Sequence, residues 1–210
     1  MYMYMRIDKE SDKIHNFVLQ SHNQIRKQME INQYIDKYEE TLHSQLYQFL
    51  QSKKEVDVME PDTTDFESVW QQVCTSYLPD GVREFEGYAT VSVGWMMYVG
   101  MALAKQWDEN WLKCKSQPDM YTALRDVRGY DCMDEYISED VLKLKPNESK
   151  ALAKLINDCA QMGVHALQRE MFEPGSPLAF HAYVRTLHQM YLMGVAVQLL
   201  RMGYKMTKIS

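Results

Sequence analysis

Two spacings in this sequence place chemistry-bearing side chains on one helical face. His181, Arg185 and His188 stand at i, i+4 and i+7, so on a helix they face one way. A guanidinium fork flanked by two imidazoles suits an anion or a carboxylate, because Arg presents paired N–H donors and each imidazole can add one more. The competing reading is a solvated polar face on a helix whose other side is buried. Glu40-x-x-His43 has the second spacing, by which a carboxylate and an imidazole share a face and a metal in carboxylate-bridged di-iron bundles. Those centres need two such pairs and two further carboxylates. Here there is one Glu-x-x-His, so a site for iron, manganese or zinc rests on Glu40 and His43 alone, against a chance match on a Glu-rich surface helix.

The remaining candidates read more plainly. His15 and His22 also share a face and suit a surface role, whereas His165 stands alone among apolar neighbours and suits a satisfied core position. Asp131, Asp134 and Glu135 are acidic but lack the alternating oxygen ligands and the glycine of a calcium loop. No glycine-rich phosphate loop, dinucleotide fingerprint or nucleophile elbow is present, which removes the usual support for hydrolase and nucleotide-binding functions. Asn147-Glu148-Ser149 fits a glycosylation sequon, with no secretory route to give it meaning. The four cysteines, Cys74, Cys114, Cys132 and Cys159, form no Cys-x-x-Cys pair and read as reduced, mostly buried thiols. The opening Met-Tyr-Met-Tyr-Met-Arg lacks the charged leader and apolar run of a signal peptide, so a soluble, cytoplasmic protein is expected.

Composition narrows the partners. The chain has 210 residues and a formal net charge of −6, and its basic residues are dispersed around Lys53–Lys54, Lys143 to Lys154, and Arg201 to Lys208. A nucleic-acid backbone needs a clustered basic surface, so no nucleic-acid partner is expected. With 46% hydrophobic and 25% charged residues the chain suits one folded domain over 1–210.

The six prolines, Pro61, Pro79, Pro118, Pro146, Pro174 and Pro177, punctuate the elements that must position these groups. Over about 11–52, Ile14, Phe17, Val18, Ile25, Met29, Ile35, Tyr38, Leu42, Leu46, Phe49 and Leu50 fall mostly three and four apart, giving one long amphipathic helix or a helix pair. Its stripe packs on the core, or pairs with a protein partner or a second copy. After a polar linker at 53–62, Thr64 and Glu67 form a capping box for a short helix that Pro79-Asp80-Gly81 turns. Tyr88–Ala104 then carries no charge on any side, and such a helix is buried or in a membrane. It is short for a bilayer, which asks for about 20 apolar residues, so no membrane association is expected. Two short helices follow, broken at Arg128-Gly129-Tyr130; another runs from Asn147, and Ser176-Pro177 caps a last one reaching about Met206.

Gly94 or Gly100 is expected against Gly194 or Ala196 at a close crossing, because glycine inside a helix costs about 1 kcal/mol relative to alanine unless packing offsets it. Sixteen methionines and 14 tyrosines suit irregular helix packing, and Trp95, Tyr98, Trp107 and Trp111 stand where core or pocket walls are needed. The sequence therefore predicts an all-α, irregular bundle of about six to seven helices around a buried central helix. Its predicted function is a non-catalytic interaction or regulatory module without a cofactor. The alternative is an enzyme or small-ligand carrier with a buried Met- and Tyr-lined pocket, with or without a metal.

Overall fold

A computed structural model describes the chain over residues 5–205, and its side chains over 29–205 apart from Lys113. His15 and His22 lie outside the described side chains. The chain divides into two compact units, Met1–Tyr38 and Glu39–Ser210. The first belongs to helix α1 (Met5–Ser52), on which Met29 and Tyr34 are exposed. Everything below concerns the second.

From Glu39 onward α1 buries Leu42, Leu46, Tyr47 and Leu50, the continuation of the three-four stripe. The segment 53–63 that follows is tied down by side chains: the Tyr47 hydroxyl and the Gln51 amide donate to the Asp57 carbonyl, and Arg201 pairs with Glu55 at 3.0 Å.

Helix α2 (Thr64–Lys115) is assigned as one element, but its backbone leaves helical geometry at Tyr88 (φ −138°, ψ 65°) and Asn110 (φ −166°, ψ 88°). The Tyr77 hydroxyl donates to the Ser92 carbonyl and the Trp107 indole donates to Asp65. A straight helix rising 1.5 Å per residue would hold those pairs about 22 and 63 Å apart, so the two halves fold back on one another at Tyr88.

Two expectations are corrected here. The chain does not turn at Pro79-Asp80-Gly81; the helix passes through Pro79 and breaks nine residues later. Tertiary bonds hold the proline turn in place: buried Asp80 accepts from the Tyr121 hydroxyl and from Arg125, each at 2.8 Å, and the Gly81 carbonyl accepts from Ser92 Oγ at 2.7 Å. Gly81 provides room, since a Cβ there would meet the Tyr183 hydroxyl at 2.7 Å. Nor do Thr64 and Glu67 form a capping box. Asp62 accepts from both the backbone N–H and the hydroxyl of Thr64, leaving the Glu67 carboxylate for another partner.

The second half of α2 is the buried centre, with Val93, Met96, Met97, Val99, Met101, Ala102, Leu103 and Ala104 all inaccessible. It packs on α5 (Pro146–Arg169) and most extensively on α6 (Pro177–Arg201), whose middle from Thr186 to Leu199 is buried apart from half-buried His188. Gly100 and Gly194 make this contact reciprocal. A Cβ on Gly100 would meet the backbone of Tyr191 and Val195, and one on Gly194 the backbone of Met97 and Met101. Gly94 faces Ile156 and Ala160 of α5, and Gly163 faces Thr186 and Val93.

Between α2 and α5 lie two short helices, α3 (Met120–Arg125) and α4 (Met133–Tyr136), separated by Gly129 at φ 83°, a value that favours glycine. Ser176 caps α6 as expected, its hydroxyl accepting from the Ala179 N–H at 3.1 Å. That helix stops at Arg201 rather than Met206, because Gly203 turns left-handed (φ 91°) and sends the Tyr204 N–H back to the Leu199 carbonyl. The protein is all-α, with no strand and no helix long and apolar enough to cross a membrane among the described residues.

Candidate functional site

Two of the three polar residues singled out on the last helix converge on one carboxylate, and it belongs to the chain itself. Arg185 Nη1 lies 2.8 Å from Glu39 Oε2, and His188 Nδ1 lies 2.8 Å from Glu39 Oε1. The other ring nitrogen of His188 lies 2.9 Å from Glu67 Oε2. A neutral imidazole has one N–H, so a ring with a carboxylate at each nitrogen is satisfied only when doubly protonated. Burial by itself lowers the His188 pKa, but the bond to Glu39 and the charge of Glu67 outweigh it and hold the pKa above its ordinary 6.5. Burial likewise raises the Glu39 carboxyl, and the bonds from His188 and Gln189 with the charge of Arg185 bring it below 4.5. The Trp70 ring lies 4.7 Å from the His188 ring, where its face adds attraction for the imidazolium. His181, two turns earlier, is exposed beside the Phe180 ring.

The cluster extends through Gln189, whose amide donates to Glu39 Oε1 at 2.7 Å. That bond fixes the amide's orientation and aims its oxygen at His43 Nδ1, 2.8 Å away, while His43 Nε2 faces Glu60 at 3.0 Å. Both His43 nitrogens are thereby engaged, and Glu40 is exposed. The carboxylates on His188 take opposite ring nitrogens and share no point where a cation would sit. Among the described residues no three His, Cys, Asp or Glu side chains are placed to hold a metal ion.

A cleft of about 450 Å³ lies where the segment before α2 meets the end of α6. Its apolar wall comprises Phe66, Trp107, Ala196, Leu199, Leu200 and Tyr204, with Met59 and Pro61 alongside. Three carboxylates line it, those of Asp57, Asp62 and Asp65, against the single cation of Lys205. Of the aromatic residues marked in the sequence only Trp107 reaches it. Trp95 donates instead to the Tyr130 carbonyl, and Trp111 lies against Phe66. His165, expected in the core, is exposed, because it occupies the outward side of α5.

Three of the four thiols and several buried phenols are held in their protonated forms. Burial pushes the Cys74 thiol up to about 11 and the Cys159 thiol up to about 12, and raises Cys114 as well. Burial also raises the phenols of Tyr77, Tyr121, Tyr183 and Tyr191, which donate or stack within the core.

The cluster roles of Glu39, Glu60, Glu67 and Gln189 escaped the sequence reading, which took Glu67 only for a helix cap, since each is one of many surface-type polar residues and their partners lie 17 to 150 positions away. Glu39 alone left a trace, sharing a helical face with His43 at i, i+4. Together fold and site define an all-α protein with a closed ionic cluster and an adjoining amphipathic cleft. No protein-family model matches the chain, and no curated protein and no solved structure is significantly similar to it.

Proposed function

We propose that this chain is a non-catalytic binding protein that takes its ligand in the cleft between the segment before α2 and the end of α6. The cleft carries the reading: its volume of about 450 Å³ falls within the range of roughly 300–1,000 Å³ typical of small-ligand sites, and its apolar wall with a few fixed polar groups has the usual composition of one. The protonated, buried thiols and phenols support binding over covalent chemistry, because a nucleophile needs a lowered pKa or an adjacent base. Four unpaired thiols suit a reducing compartment, so the proposed location is the cytoplasm.

Backbone resonances followed during titration with a mixture of small amphipathic compounds test the reading. Perturbations should converge on Phe66, Trp107 and Leu199 and disappear in Trp107→Ala; scattered perturbations, or ones unchanged in that variant, overturn it.

A further inference from the structure

Resting on that reading, we infer that the cleft selects a small organic cation: an ammonium group attached to an apolar or aromatic body. The carboxylates of Asp57, Asp62 and Asp65 are each held through one oxygen. The Val58 N–H holds Asp57 Oδ1 at 2.7 Å, Thr64 holds Asp62 Oδ1, and the Trp107 indole holds Asp65 Oδ2 at 2.9 Å. One oxygen of each has no hydrogen-bond partner among the described residues, so all three remain able to accept from a ligand. Asp57, Asp62 and Asp65 share the cleft lining with Phe66, Trp107 and Tyr204, and the rings of Trp107 and Tyr204 meet edge-on at 5.5 Å. Aromatic faces attract cations and give an anion nothing. Lys205 offsets one of the three negative charges and leaves an excess of two at the lining.

Size argues for a small molecule over a macromolecule. An extended protein interface covers on the order of 800 Å² per partner, whereas this is a bounded cleft of about 450 Å³. Asp62 and Asp65 also complement the N-terminus of α2, as acidic groups do at helix starts. Asp57 is outside that helix and is not accounted for in that way.

The probes are 2-phenylethylammonium, the neutral 2-phenylethanol and the anionic 3-phenylpropionate, which share one apolar body. Binding to the full chain is measured by calorimetry, with the Trp107 indole resonance locating each probe. The ammonium should bind roughly tenfold or more tightly than the carboxylate, and added salt should weaken it. Asp57→Asn and Asp65→Asn retain the acceptor oxygens that hold Val58 and Trp107 while deleting charge, so they should fold normally and lower ammonium affinity several-fold. Their affinity for 2-phenylethanol should not change. Equal binding of all three probes at Trp107 overturns the cation inference and leaves the cleft a ligand site. Absence of all three from Trp107 removes the cleft reading as well.

Discussion

Substituting alanine for Gly194 should destabilise the protein, although alanine is the better helix former. A Cβ on Gly194 would lie 2.9 Å from the Met97 carbonyl carbon and 3.1 Å from the Met101 nitrogen, and closer still to the Met97 carbonyl oxygen. Carbon atoms settle at about 3.5–4.0 Å, so α6 and the second half of α2 must separate by at least about 0.5 Å. The atoms in the way are backbone, which no rotamer change can move aside. Separation loosens the contact around Met97, Met101, Tyr191 and Val195, all buried. Overpacking of this kind costs about 1–3 kcal/mol, and rigid backbone on both sides places this site at the upper end, beyond the ~1 kcal/mol of helix propensity gained. At about 2–4 °C per kcal/mol for a chain of this size, the melting temperature should fall by roughly 4–8 °C. Gly100→Ala should behave alike, because its Cβ would meet the Tyr191 carbonyl carbon at 3.0 Å and the Val195 nitrogen at 3.1 Å. Gly87→Ala is the control: a Cβ there meets nothing within 4 Å, so propensity alone acts and stability should rise by up to ~1 kcal/mol. Thermal unfolding followed by circular dichroism measures all three. Stabilisation by Gly194→Ala or Gly100→Ala would refute the close crossing.

The ionic cluster predicts a pH window. Because the folded His188 pKa lies above 6.5, its contribution is fully present below that value and is lost as pH rises through the raised one. Glu39, lowered from 4.5, contributes above that value and loses its effect as pH falls through the lowered one. The stability difference between the wild type and His188→Gln should therefore be largest between about pH 4.5 and 6.5 and shrink on the alkaline side; a difference that grows with pH contradicts the double carboxylate contact. Thiol accessibility gives an independent check, since Cys74, Cys114 and Cys159 are buried and Cys132 is only partly so. An aromatic disulfide reagent should modify Cys132 in the native protein and all four thiols after unfolding. Comparable native rates at all four would contradict the packing.

The parts of the fold legible in the sequence are those set by local rules. Ser176 and Pro177 start α6 because a hydroxyl and a fixed φ suit a helix entrance, and the uncharged run after Tyr88 is buried because it has no polar side to present. The crossing at Gly100 and Gly194 was legible for an energetic reason, since glycine inside a helix needs a compensating contact. Pro79 misled because a local rule lost to tertiary bonds: Tyr121 and Arg125 of α3 hold Asp80, Ser92 from the second half of α2 holds the Gly81 carbonyl, and nothing at positions 77–81 announces them. The same limit applies to the candidate site. His188 and Arg185 were visible as a face seeking a negative charge, and their spacing could not say whether that charge would arrive on a ligand or, as in the structure, on Glu39.

That intramolecular carboxylate changes where a ligand should be sought. The guanidinium and imidazole donors on α6 are committed to Glu39 and Glu67, and an external anion would have to displace a carboxylate held by Arg185, His188 and Gln189 together. The carboxylates of the cleft differ in kind, each having one oxygen anchored and the other not bonded to a described residue. The two regions meet in the segment before α2, where Glu60 turns to His43 while its neighbours Met59 and Pro61 line the cleft. The Glu60–His43 contact thus joins the ionic cluster to the segment that carries Met59 and Pro61, and the side chains spent on cohesion are those that first suggested recognition. The proposed binding chemistry falls instead to aspartates whose spacing in the sequence carries no recognisable signature.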